Sequence, residues 1–165
     1  MYSELVLENP RPYDVAIYYT VRTGCDDCNT ILEEFSSVAY SYINADKPSE
    51  TPCFFGVFYY NADPKVREIF NSHNFKTVPY LAVSKNQVKR DPAADFFETR
   101  DIWLIKKDEA SDNQILLNFV NKRLQNDIPL KIPFLTVLFN NIVLFLMLGA
   151  AIVTVFSIRP VLINP

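Results

Sequence analysis

Apolar positions along this chain alternate between short continuous runs and longer stretches of helical spacing. Asp14-Val15-Ala16-Ile17-Tyr18-Tyr19 is compact, β-branched and aromatic, and predicts a buried strand over about Val15 to Thr20. Ile31, Leu32, Phe35, Val38, Ala39 and Tyr42 recur at three- and four-residue steps and predict an amphipathic helix over about Cys25 to Asn44. Asp46 to Pro52 reads as a loop by composition. Phe54 to Tyr60 is a near-continuous apolar run and predicts a central strand covered on both faces. Asp63 and Pro64 suit the N-cap and first position of a second helix, which carries Val66, Ile69 and Phe70 and fades near His73. Pro79 to Val83 predicts a strand opened by proline, and Asp101 to Ile105 a last strand. Ile115, Leu116, Phe119 and Val120 predict a closing helix over Asp112 to Leu124, and Tyr2 to Leu7 a short edge strand.

Beyond that helix the pattern changes. Pro129 and Pro133 stiffen a linker, and Phe134 to Ile158 then contains no charged residue. That length crosses a bilayer with some tilt; a buried soluble helix is the alternative, and the charge-free length favours the membrane. Asn140 and Asn141 are costly in lipid and are expected against a partner helix or near the interface. The expected division is a folded domain over 1–128, a linker over 129–133, a transmembrane helix over 134–158 and a tail over 159–165. The first fourteen residues show no basic region followed by an apolar core, the mark of a secretory signal. Taken alone, this describes a tail anchor with a cytosolic domain, and Lys122, Arg123 and Lys131 against Arg159 lean the same way.

Composition narrows the function classes. The 165 residues are 49% hydrophobic with 3 Gly, which suits a packed core and not a disordered chain. The net charge of −3 provides no basic field, so nucleic acid is not an expected partner. Three cysteines are too few for a disulfide-stapled scaffold, which turns attention to chemistry.

That chemistry lies at Cys25-Asp26-Asp27-Cys28, where the first strand hands over to the first helix through Gly24. A cysteine at a helix N-terminus meets free N–H groups and the positive end of the dipole, which favour its thiolate. A second cysteine one turn on can attack a mixed disulfide formed by the first. Spacing and place are those of the redox motif of a thioredoxin-like fold. Three other readings stand beside it: a structural disulfide, a zinc site completed by Cys53 and His73, and a spent motif on a fold kept for binding. Zinc is disfavoured because there is no second Cys-x-x-Cys and Cys53 opens an apolar strand. No cofactor or metal is expected, and His73 reads as a surface residue at a helix end. Val78-Pro79 opens a strand after a helix, where this order of elements places a cis-proline facing the cysteines. The fold class that follows is α/β, a three-layer thioredoxin-like fold with a mixed sheet and helices on both faces, followed by one transmembrane helix.

The arrangement resembles the thioredoxin-like accessory subunit of the oligosaccharyltransferase complex, a family that includes the tumour-suppressor-candidate and magnesium-transporter-associated proteins. The resemblance is carried by Arg11 to Val15 into Tyr18-Tyr19-Thr20, by Cys25 to Cys28 and its helix, by Val57 to Asn61, and by Ser72 to Pro79. The lack of Trp before Cys25, Thr20 closing the strand and the apolar stretch straight after the last helix point the same way. It covers about residues 11 to 158. The resemblance implies a domain in the endoplasmic reticulum lumen, on the membrane, beside other subunits of the complex. That domain would hold cysteine-containing client polypeptides through transient mixed disulfides, so that nearby sites are N-glycosylated before folding closes them. It implies Cys25 as attacking thiol, Cys28 as resolving thiol, and Val78 and Pro79 as the place where a client strand pairs. Members of the family carry a signal and four spans, so the resemblance favours a partial or reduced chain over a tail anchor. Two other functions remain open: a free-standing membrane-anchored disulfide isomerase or reductase, and a non-catalytic structural subunit of another membrane complex.

Overall fold

The computed structural model describes residue 6, residues 11–86, residue 97, residues 101–106 and residues 112–133. By compactness the chain divides into two units, Met1–Lys131 and Ile132–Pro165. The expected span over 134–158 and the tail lie outside the described residues, as does the expected edge strand apart from Val6. Among the described residues no helix is long and apolar enough to cross a membrane.

The described elements follow in the order β1 (Asp14–Thr20), α1 (Cys28–Ile43), β2 (Cys53–Tyr59), α2 (Pro64–Ser72), β3 (Tyr80–Ser84), β4 (Ile102–Leu104) and α3 (Asn113–Leu124). The strands form one mixed sheet in the order β2-β1-β3-β4. β1 pairs with β2 in parallel from Asp14↔Cys53 to Thr20↔Tyr59, and with β3 antiparallel through Tyr19↔Tyr80. β4 lies antiparallel to β3. The order of elements is therefore α/β, with the sheet between two cores.

β1 is buried along its whole length because the sheet is covered twice. Ala16 and Tyr18 point into a core built with Ile31, Phe35 and Val38 of α1 and Leu116, Leu117 and Val120 of α3. Val15, Ile17 and Tyr19 point the other way, toward Phe70 of α2, with Val66 and Ile69 packed against that core. The period of two along the strand thus feeds two helical layers. Among the described strands β2 lies at the edge of the sheet. Its apolar run reflects packing on both faces, as expected, since Phe55 and Val57 pack on one core and Phe58 on the other. Both faces are covered although one edge is not paired with another described strand.

Local chemistry sets the boundaries. Asp63 accepts a hydrogen bond from the Lys65 backbone N–H at 2.7 Å, with Pro64 at the first helical position, as the sequence indicates. Asp112 caps α3 in the same way through the Gln114 N–H. At the start of β1 the buried Arg11 guanidinium donates to the carbonyls of Val6, Tyr13, Ser84 and Lys85. A buried charge spread over four carbonyl oxygens is satisfied, and it fastens the chain before β1 to the end of β3.

The stretch after α3 is held by side chains. Asn121 donates its Nδ2 to the Ile128 carbonyl at 2.8 Å and accepts at Oδ1 from the Ile128 N–H and the Tyr42 hydroxyl. Ser41 of α1 accepts from the Lys131 N–H at 2.9 Å, and the Lys131 ammonium reaches the Asn44 carbonyl and Asp46. These anchors sit at the C-terminal end of α1. The cysteine pair lies at the other end of that helix.

Candidate functional site

Three segments meet at the C-terminal end of β1. The chain leaves Thr20 into the loop Val21–Asp27 before α1 begins. The parallel register brings Tyr59, and after it Tyr60 and Asn61, alongside that exit. The antiparallel register brings Tyr80 beside Tyr19, so Val78 and Pro79, which precede it, enter the same end of the sheet. The Val78–Pro79 bond is cis, as expected, and Pro79 is buried with its carbonyl accepting from the Ile105 N–H at 3.2 Å.

Cys25 and Cys28 form a disulfide with Cα atoms 5.4 Å apart. The pair does not sit as the periodicity suggests. α1 starts at Cys28, not Cys25, and its first hydrogen bond runs from the Ile31 N–H to the Asp27 carbonyl at 3.0 Å. Gly24 has φ +85°, a left-handed conformation that a side chain disfavours, and it turns the chain so that residues 25–27 remain a turn. Cys28 is therefore the first residue of the helix and Cys25 stands just before it. Cys28 is 2% exposed, whereas Cys25 is partly exposed. Of the two cysteines, Cys25 is the more open to solvent.

Two contacts bear on these cysteines that the sequence reading does not include. Tyr18, fully buried on β1, donates its hydroxyl to the Cys28 carbonyl oxygen at 3.0 Å and stacks on Phe35. Burial pushes the Tyr18 phenol up to about 12, so it stays neutral and serves as a donor at physiological pH. Asn61 accepts at Oδ1 from the Arg22 backbone N–H at 3.1 Å, and the Arg22 guanidinium lies 5.2 Å from the Tyr59 ring centroid. Arg22 is thereby engaged with the end of β2. The only hint in the sequence is a tyrosine inside an otherwise apolar strand, since a buried phenol requires a partner.

The other chemistry-bearing residues go elsewhere. Cys53 opens β2 opposite Asp14, at the far end of β1 from the disulfide, roughly 20 Å away at strand rise. Burial pushes its thiol well above the ordinary range, with the Asp14 carboxylate adding to the rise and Arg11 opposing it. That separation dissolves a zinc set made of Cys25, Cys28, Cys53 and His73. Among the described residues no group of three or more His, Cys, Asp or Glu could hold a metal ion. His73 ends α2 with its ring stacked on Phe75 and near Tyr19 and Phe97, so it belongs to the aromatic packing below the site.

The chain matches the model of the OST3 / OST6 family, transporter family, over residues 1–164. No curated protein matches the chain.

Proposed function

Because this chain belongs to the OST3 / OST6 family, we propose that it acts in the oligosaccharyltransferase complex as a thiol–disulfide exchange subunit on a thioredoxin-like fold. One observation carries the reading: a disulfide at the junction of β1 and α1 whose two cysteines are unequally exposed. Inequality makes the exchange directional. A client thiolate attacks the Cys25 sulfur, forms a client–Cys25 disulfide and releases Cys28 as a thiolate. In the return step the Cys28 sulfur attacks Cys25 and the client sulfur leaves with its electron pair. Between the two steps the client is held covalently, long enough for a neighbouring acceptor site to be glycosylated.

The cis Val78–Pro79 segment at the same end of the sheet supports a second role, pairing a client backbone beside Cys25. Mixed sheet, two helical layers and the order of elements support the thioredoxin-like assignment. Family membership and the charge-free sequence of residues 134–158 support a domain in the endoplasmic reticulum lumen followed by a membrane span.

Trapping tests this function. Cys28→Ser removes the resolving thiol and leaves the attacking one, so covalent adducts with cysteine-containing glycoproteins accumulate on non-reducing gels, and Cys25→Ser abolishes them. Co-purification of the glycosyl-transfer subunit with those adducts separates the complex subunit from a free-standing oxidoreductase. A folded Cys28→Ser protein that traps nothing would falsify the exchange function and leave a docking module.

A further inference from the structure

We propose that Asn61, on the turn after β2, is a positioning residue that holds the cysteine loop closed and so sets how long a client stays attached. The inference rests on the exchange reading above. Asn61 belongs neither to that loop nor to the helix that follows it. Its side-chain oxygen accepts from the Arg22 backbone N–H at 3.1 Å, and its Nδ2 lies 3.5 Å from the Thr23 hydroxyl. A backbone N–H can only donate, so the carbonyl side of the amide must face Arg22, which settles the orientation of the group. Two neighbouring contacts act on the same segment. The Tyr60 N–H donates to the Thr20 carbonyl at 2.8 Å, and the Arg22 guanidinium packs on the Tyr59 ring. Thr20, Arg22 and Thr23 are thus tied to three consecutive residues of the β2 exit, immediately ahead of Gly24 and Cys25.

Closing the disulfide requires the loop to give up conformational freedom, and a loop already ordered gives up less. Opening breaks the Cys25–Cys28 bond as an incoming thiolate bonds to Cys25, and the electron pair leaves with the Cys28 sulfur as a thiolate. Return requires the Cys28 thiolate to find the Cys25 sulfur again. The Asn61 contacts keep Cys25 near Cys28 during that interval. They favour the closed disulfide at equilibrium and shorten the life of the mixed one.

The test uses the full chain in detergent with glutathione redox buffers. Asn61→Ala is expected to lower the equilibrium constant for Cys25–Cys28 closure about fivefold, the worth of about one net hydrogen bond. That corresponds to a potential about 20 mV less reducing. Resolution of a Cys25–glutathione mixed disulfide should slow by about the same factor. Asn61→Asp keeps an acceptor toward the Arg22 N–H and should restore both values to within about twofold. Urea midpoints of the oxidised and reduced protein provide the second readout, and the oxidised form should lose more. Equal losses in the two forms, or wild-type constants in Asn61→Ala, overturn the proposal. A wild-type protein that does not exchange with glutathione at all overturns the exchange reading itself.

Discussion

The hydroxyl of Tyr18 donates to the carbonyl oxygen of Cys28 at 3.0 Å and joins the central strand to the first residue of the cysteine helix. Both residues are buried, so water cannot replace the bond. Tyr18→Phe keeps the ring on Phe35 and deletes only the hydroxyl, and it should lower unfolding free energy by about 1–2 kcal/mol. The alkaline limb supplies a second readout. The folded phenol is raised from 10.0 to about 12 by burial, so its stabilising contribution is complete below pH 10 and is lost as pH rises through 12. Urea midpoints between those values should fall less steeply in Tyr18→Phe than in wild type, and parallel slopes would disprove it.

Asp14 provides the acid-side counterpart. It is buried at the start of β1 and accepts from the Asn86 N–H at 2.5 Å. Burial raises its carboxyl above 3.8, opposed by the Asn86 bond, Lys85 and Arg11. A raised carboxyl contributes stability below its unfolded pKa and loses it as pH rises through the folded one. Ionising the group within the fold is therefore a burden. Asp14→Asn should gain on wild type as pH increases from about 4 to 7, read as the difference in urea midpoint. A constant difference across that range would show that Asp14 does not set the slope.

Cys53 should be chemically silent. Cys25 and Cys28 are joined in the disulfide, Cys53 carries the free thiol, and burial holds it in the neutral form. A chromogenic disulfide reagent at about pH 8 should find no reactive thiol in the oxidised native chain and one per chain in denaturant. Fast labelling of the native protein would show that Cys53 is accessible.

Asn121 should be among the costlier polar substitutions. Asn121→Ala strands the Tyr42 hydroxyl and both polar groups of Ile128, and is expected to cost about 2–4 kcal/mol. Limited proteolysis between residues 126 and 131 should accelerate at the same time. Loss of stability without faster cleavage there would mean that the clamp does not hold the segment.

What the sequence alone determined is what neighbours along the chain decide. The continuous burial of Asp14 to Thr20, the helical stripe from Ile31 to Tyr42, the Asp63-Pro64 start of α2 and the cysteine pair between strand and helix all depend on residues within a few positions of one another. The cis-proline ahead of β3 was legible in the same way, from a motif and its place in the order of elements. Tertiary structure decided the rest. An apolar run reports that both faces of a strand are covered and is silent about its edges, so β2 could be recognised as a strand while its parallel pairing with β1 could not be read from it. The helix begins at Cys28 because the positive φ of Gly24 and the disulfide hold residues 25–27 in a turn, and periodicity does not register either. Tyr18 meets Cys28, and Asn61 meets Arg22, only because parallel pairing with β2 and packing of α1 on the sheet bring them together. Contacts set by register between distant segments leave no mark in either segment by itself, and the surroundings of the disulfide are made almost wholly of such contacts.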